Sequence, residues 1–366
     1  GEYMTQFDPN WSSYSEKHHL VPNTYLKAWK HNNSLVYYID KQKSKIDFAS
    51  GDYIKNTSRI FRINNFYSRR AGALFQSQSD CDKYFAPLKS YKYTVKINGI
   101  EVVDSTELNK KFYEYENWAI YDDTNNLISE FDKGALKKEI QAIHIRDLEE
   151  AWNRMYENNW PYVRSEIVAE VNKNFGADKI SSVRREEFIR FMVSIEWRTE
   201  PAHPVLEEAF NNLINLLDLS KVLDEPLLDS EKMYPFIDTH REEFKHNLLL
   251  SMYYKFFNNK GPIYEEFKHI YDTMDIHLLI PESGYEFITS DNPVCRFTNS
   301  RNELEYIFPI TPELACTVRK SKSVDKEHYF VRNLNKDEVL LYNDQIKNNC
   351  SKGYILHQPH LKMYFK

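Results

Sequence analysis

Glycine is scarce: the 366-residue chain has only 9, and neither a G-x-G-x-x-G nor a G-x-x-x-x-G-K-[ST] stretch occurs. The usual backbone cradle for the phosphates of a dinucleotide or nucleoside triphosphate is therefore missing, and no nucleotide cofactor is expected. Cysteine is sparse too. Cys81, Cys295, Cys316 and Cys350 stand far apart with no C-x-x-C pair, which suggests neither a zinc knuckle nor a disulfide framework and fits reduced thiols in a cytoplasm. No run approaches the roughly 18 apolar residues needed to cross a bilayer, and no basic segment followed by an apolar stretch opens the chain. The expectation is a cytoplasmic protein with no membrane partner. Positive charge is not in excess either. A formal net charge of -6 gives no overall attraction to phosphate, so any nucleic-acid contact is confined to a local basic surface.

Aromatic residues are abundant at 15%, with 26 Tyr and 22 Phe, in a chain that is 42% hydrophobic and 28% charged. That is globular composition with rings supplying much of the packing surface. A chain this long buries a substantial core as one body.

The pattern of segments predicts an α+β fold, a single domain over 14–366 with three sub-regions. Residues 14–133 read as mainly β. Leu35 to Asp40 is a strand bounded by turn formers, a second β segment lies near Ile46 to Ala49, and Asn98-Gly99 joins Tyr93–Ile97 to Ile100–Val103 through a type I′ turn. Another hairpin is expected between Trp118–Tyr121 and Leu127–Phe131. Residues 134–275 read as helical. Apolar residues recur at three and four spacings through Leu136, Ile140, Ile143, Leu148, Trp152 and Tyr156, and further helices are expected over 163–174, 184–199, 204–219 and 230–257. Residues 276–366 read as β-rich with one helix, near Lys336 to Ile346, and a final strand from Gly353 to Leu356.

The run His19-Leu20-Val21-Pro22-Asn23-Thr24-Tyr25-Leu26-Lys27-Ala28-Trp29 resembles the opening signature of the family catalogued as domain of unknown function 4238. Further pieces follow in order: Leu35 to Asp40, Phe66-Tyr67, Arg198, Ile288-Thr289-Ser290-Asp291-Asn292-Pro293 and Phe308-Pro309-Ile310-Thr311-Pro312. Leu20 and Thr24 replace the aromatic residues common there, and Glu200 is inserted between Thr199 and Pro201. The resemblance implies a bacterial protein of defence against phage and, with it, a phage protein as a possible trigger.

Candidate chemistry starts at His19, a general base or metal ligand, or else a ring that pins the chain's entry by a hydrogen bond. Glu150 and Glu157, seven residues apart, share a helix face about two turns apart. They are candidates for holding Mg²⁺ or Mn²⁺, or are exposed charge. Arg198 suits a phosphate clamp or a structural ion pair. Its spacing from His203 matches, weakly, the Arg-x4-His of HEPN ribonucleases. Asp291 is a third metal or acid-base carboxylate, unless it caps the turn before Pro293. Between Asp52 and Asp80 no acidic residue occurs, and Arg59, Arg62, Arg69 and Arg70 are interleaved with Phe61, Phe66, Tyr67 and Phe75. Cations and rings in that mixture suit single-stranded nucleic acid, or form a solvated basic face. The expected function is an effector in which His19, Glu157, Arg198 and Asp291 meet in one cleft and cut nucleic acid or a nucleotide. The alternative is a non-enzymatic sensor or adaptor that binds a phage protein.

Overall fold

A computed structural model describes residues 17–366 apart from 32–34, 44, 52, 59, 65, 74–75, 200–202, 218–222, 230–231 and 233–235. The mixed α+β expectation holds, and helices and sheets share one body. The organising element is the helix Arg185–Thr199, called the central helix below, in which every residue from Glu187 to Thr199 is buried. A helix enclosed on all sides is normally apolar all round. Here Phe188, Ile189, Phe191, Met192, Val193, Ile195 and Trp197 meet that demand, while Glu187, Arg190, Glu196 and Arg198 do not.

The central helix lies against the helices Trp160–Lys173 and Gly261–Thr273. The Trp160 and Phe191 rings stack face to face at 4.1 Å. Phe188 reaches the rings of Phe308 and Tyr329 on a six-stranded sheet. That sheet runs in the order Cys295–Thr298, Leu304–Thr311, Leu314–Lys320, Met274–Ile280, His328–Asn333, Lys179–Ser181. Its neighbours are antiparallel except for Met274–Ile280 beside His328–Asn333.

A four-stranded sheet joins the two ends of the chain, in the order Thr289–Ser290, Gly353–Leu356, Leu35–Asp40, Ile54–Asn56. Gly353 is required where it sits, because a Cβ added there would overlap the Tyr38 ring. A smaller core of its own gathers residues between Ala71 and Ile145 around the sheet Ile100–Glu101, Thr94–Ile97, Trp118–Tyr121. Its hairpin turns at Asn98 (φ 51°) and Gly99 (φ 78°), the paired positive angles that a type I′ turn needs.

Several local expectations need correction. The segment 46–49 is no strand, since Phe48–Ser50 forms a 3₁₀ turn and the partner of Leu35–Tyr37 is Ile54–Asn56. The second hairpin stops after a bridge between Tyr121 and Leu127, because the Ser129 side chain accepts from Asp132 N and starts the helix Glu130–Gln141. The helix expected over 230–257 begins at His240, capped by Thr239. The helix Gly261–Thr273 lies inside the region expected to be helical without having been singled out there, and the strand Lys179–Ser181 is new. The early part of the chain also holds the helices Gln78–Tyr84, Ala86–Ser90 and Ser105–Lys110. All four cysteines are buried and none is in a disulfide. Among the described residues no helix is long and apolar enough to cross a membrane.

Gly353→Ala forces the Tyr38 ring out of its place over the strand. The expected loss of stability is about 1–3 kcal/mol, read as a lower denaturation midpoint at unchanged m-value.

Candidate functional site

Successive helical residues turn by about 100°, so Glu196 and Arg198 leave the central helix about 200° apart, on opposite faces. Each therefore enters a different polar cluster.

On one face Arg198, with its side chain fully enclosed, donates from Nη2 to Glu157 Oε1 at 2.8 Å and from Nε to the Tyr67 hydroxyl at 2.8 Å. Its guanidinium lies 5.2 Å from the Tyr67 ring centroid and 4.8 Å from that of Trp152. Glu157 and Trp152 are carried by the π-helical turn Trp152–Glu157 that continues the helix Asp147–Ala151. The extra residue of such a turn changes which side chains face inward, and Trp152, Met155, Tyr156 and Glu157 are all buried. Glu149 belongs to the same cluster. Burial first, then the charge of Glu157, pushes its carboxyl up to about 8, against the opposing pull of Arg198.

On the other face Glu196 meets His203 and Glu266, and the three offer ligand atoms that all lie within 4.8 Å of one another. Glu196 and His203 are each 1% exposed. The His203 ring stacks on the Trp197 indole at 3.7 Å, its Nδ1 accepts from Val205 N–H at 3.2 Å, and its Nε2 lies 3.5 Å from Glu196 Oε1. An Nδ1 that accepts has its ring proton on Nε2, facing Glu196. Arg296, from the edge strand Cys295–Thr298, places Nε 2.7 Å from Glu196 Oε1. Glu266 accepts from Trp197 Nε1 at 2.8 Å and from the Tyr306 hydroxyl at 3.0 Å. Burial, the Glu196 charge and a hydrogen bond shared with Glu196 hold the Glu266 carboxyl well above its usual range. The two carboxyls thus compete for a proton, a conflict that a divalent cation or an acid-base reaction exploits. Glu266 and Arg296 are only partly buried, so the cluster reaches the surface on their side.

The structure brings Glu157 and Arg198 together, as an enclosed ion pair. Asp291 is engaged elsewhere. His19 sits in the strand Lys17–His19 opposite Arg62, and its side chain lies outside the described residues. Asp291 is a turn clamp: its two oxygens accept Ser351 N–H at 2.8 Å and Lys352 N–H at 2.6 Å. Glu150 pairs with Arg154 one helical turn on, at 3.2 Å. The Arg-x4-His pair is split, since Arg198 and His203 serve different clusters. The basic and aromatic stretch is no single surface. Arg69 is 3% exposed and spans Asp80 and Asp147, and Arg70 donates to the Gln141 carbonyl at 2.9 Å. Phe66 packs on Phe236 and His246, while Arg59 lies outside the described residues and Arg62 is half-buried on the strand Arg62–Asn64.

A family model described as "Protein of unknown function (DUF4238)" matches residues 17–360. The chain belongs to this family. No curated protein and no solved structure gave a match. The stretches by which the sequence resembles the DUF4238 family also meet in space. The Tyr25 hydroxyl lies 2.8 Å from Thr289 Oγ1 and donates to the Pro309 carbonyl at 2.7 Å. Trp29 Nε1 donates to the Phe287 carbonyl at 3.0 Å. Thr199, next to Arg198, donates to Asn292 Oδ1 at 3.1 Å. Three of these stretches thus form one buried junction around a phenol, and Phe66-Tyr67 joins through Arg198.

Glu196 had a faint sequence signal. Glu196 interrupts an otherwise apolar run from Phe191 to Trp197 that includes only one small polar residue, Ser194, and a carboxylate there is enclosed unless the helix is at the surface.

Two outcomes follow for the Arg198 cluster. Arg198→Ala leaves Glu157 buried without its cation and lowers stability by about 3–5 kcal/mol in equilibrium unfolding. Glu149 has a native pKa above its unfolded value of 4.5, so its contribution is fully present below that pH and is lost as pH rises towards about 8. Glu149→Gln therefore flattens the fall of thermal midpoint across that window, whereas an unchanged slope contradicts the assignment.

Proposed function

We propose that this chain is a hydrolase of phosphodiester or phosphoanhydride bonds in nucleic acid or nucleotides, acting in bacterial defence against phage, with Glu196, His203, Glu266 and Arg296 as its working groups. The observation that carries the chemistry is the approach of two carboxyls and an imidazole to within 4.8 Å, with a guanidinium 2.7 Å from one of them. The defence setting rests on the family resemblance. These are the residue types expected for the task, supplied by different positions.

Burial and the neighbouring Glu196 charge favour the protonated form of Glu266, so Glu266 is cast as the acid and Glu196 as the base. His203 places its Nε2 3.5 Å from Glu196 Oε1. Arg296, on the exposed side, is placed to pair with a phosphate oxygen. The donor set also fits a divalent ion. Two carboxylate oxygens and one ring nitrogen suit Mn²⁺ better than Mg²⁺, which prefers oxygen alone. Ligation through Nε2 requires the ring proton to leave that atom, at the cost of the Val205 contact. A bound ion would supply a low-pKa water and offset charge on the phosphoryl group.

The test is hydrolysis of single- and double-stranded DNA, RNA and nucleoside triphosphates, with Mn²⁺, with Mg²⁺ and with chelator, together with plaque counts of phage on expressing cells. Glu266→Gln and Arg296→Ala, shown folded by thermal melt, are expected to lose activity by about 100-fold or more and to lose protection. Because the ion must displace a proton, Mn²⁺ affinity is expected to rise with pH. Protection that persists in both variants, with no hydrolysis by the parent, rejects the enzyme and leaves the adaptor.

A further inference from the structure

A second polar centre shares no residue with the cluster of Glu196. A cavity of about 570 Å³ opens between the helix Trp160–Lys173, the loop 281–286 and the turn 312–313, within the size range of small-molecule sites. Part of its wall, Ala28, Thr311 and Pro312, comes from the stretches that join around Tyr25.

Its polar anchor is a histidine held from behind. His357 Nδ1 lies 2.7 Å from Glu286 Oε2, and Glu286 Oε1 accepts the Tyr364 hydroxyl at 3.1 Å. Glu286 is 6% exposed, so its charge is matched by the imidazole Nδ1–H rather than by water. The hydrogen bond to Glu286 holds His357 above its usual pKa. It also fixes the tautomer: with Nδ1–H committed to the carboxylate, Nε2 is the ring's remaining acceptor when neutral. His357 lines the cavity with its side chain 30% exposed.

The charge of the walls selects the ligand. Among the described residues no Lys or Arg lines the cavity, whereas Glu282, Glu286 and Glu313 do. Phe175 also lines the cavity, with 86% of its surface exposed, and a bare ring in a site that holds carboxylates suits an organic cation. An anionic phosphate would meet three carboxylates.

We propose that this cavity binds a small organic cation, an amine or guanidinium compound about the size of an amino acid, held by the Glu282 and Glu313 carboxylates, with the neutral form of His357 accepting through Nε2. This goes beyond the hydrolase reading and concerns a separate ligand.

The experiment is calorimetric titration of the full chain with spermidine, agmatine and arginine amide, against glutamate, inorganic phosphate and Mg²⁺. At least one of the three organic cations is expected to bind. Glu313→Gln, an exposed change that leaves the fold alone, and His357→Gln are each expected to weaken that binding at least tenfold. Glu266→Gln is expected to leave it unchanged, so loss of hydrolysis and loss of this site are read separately. The proposal is overturned if none of the organic cations binds, if Glu313→Gln binds them as the parent does, or if phosphate or Mg²⁺ binds at the parent's cavity in their stead.

Discussion

A helix that is enclosed along nearly its whole length and still carries charge constrains everything around it. An ion taken from water into a protein interior loses several kcal/mol of hydration, so each charged residue of the central helix dictates what stands opposite. Arg185 donates to the carbonyls of Tyr271 and Met274, fixing the junction between a helix and the middle of the large sheet. Arg190 holds Glu186 and Asn259 and lies over the Phe267 ring. Glu196 calls in Arg296 from the sheet edge, and Arg198 calls in Glu157 and Tyr67. A rotation of the helix by one residue would strand all of them at once. Apolar packing sets its depth in the core, and the ion pairs set its register.

The same logic separates structure from chemistry in the two clusters. Around Arg198 a cation, a carboxylate and two aromatic faces satisfy one another, and the conflict between Glu149 and Glu157 is enclosed away from solvent. Around Glu196 the carboxyls compete for a proton, and part of the cluster reaches the surface. Mutual satisfaction marks a brace, and residual electrostatic conflict beside solvent marks a place where a ligand or a reaction changes the energy.

Much of the fold was legible. The Asn98-Gly99 turn, the strand Leu35–Asp40, the central helix and the last helix and strand all follow from local signals, because turn chemistry and periodicity act over a few residues. The misreadings have a common cause. At 46–49 and 127–131 β-forming residues were present, but partner strands and the Ser129 cap decided the outcome. The site was far less legible. Arginines 69 and 70 look like surface charge in a row of cations, and only their tertiary partners turn them inward. Asp291 was weighed as chemistry, while its two backbone donors come from residues 60 and 61 positions away. Glu266 lies on a helix that the periodicity did not single out, and Glu196 is marked only by the apolar run it interrupts. Proximity of residues distant in the chain is the part of a site that local pattern does not carry.

The junction at Tyr25 has a consequence for how the protein comes into being. Its phenol finds partners 264 and 284 residues later, so during synthesis Tyr25 has no counterpart until those residues have left the ribosome. The small core between Ala71 and Ile145 draws on one contiguous stretch and is free to condense without them. Local contacts of that kind close early at little entropic cost, whereas the junction at Tyr25 has to wait for distant residues.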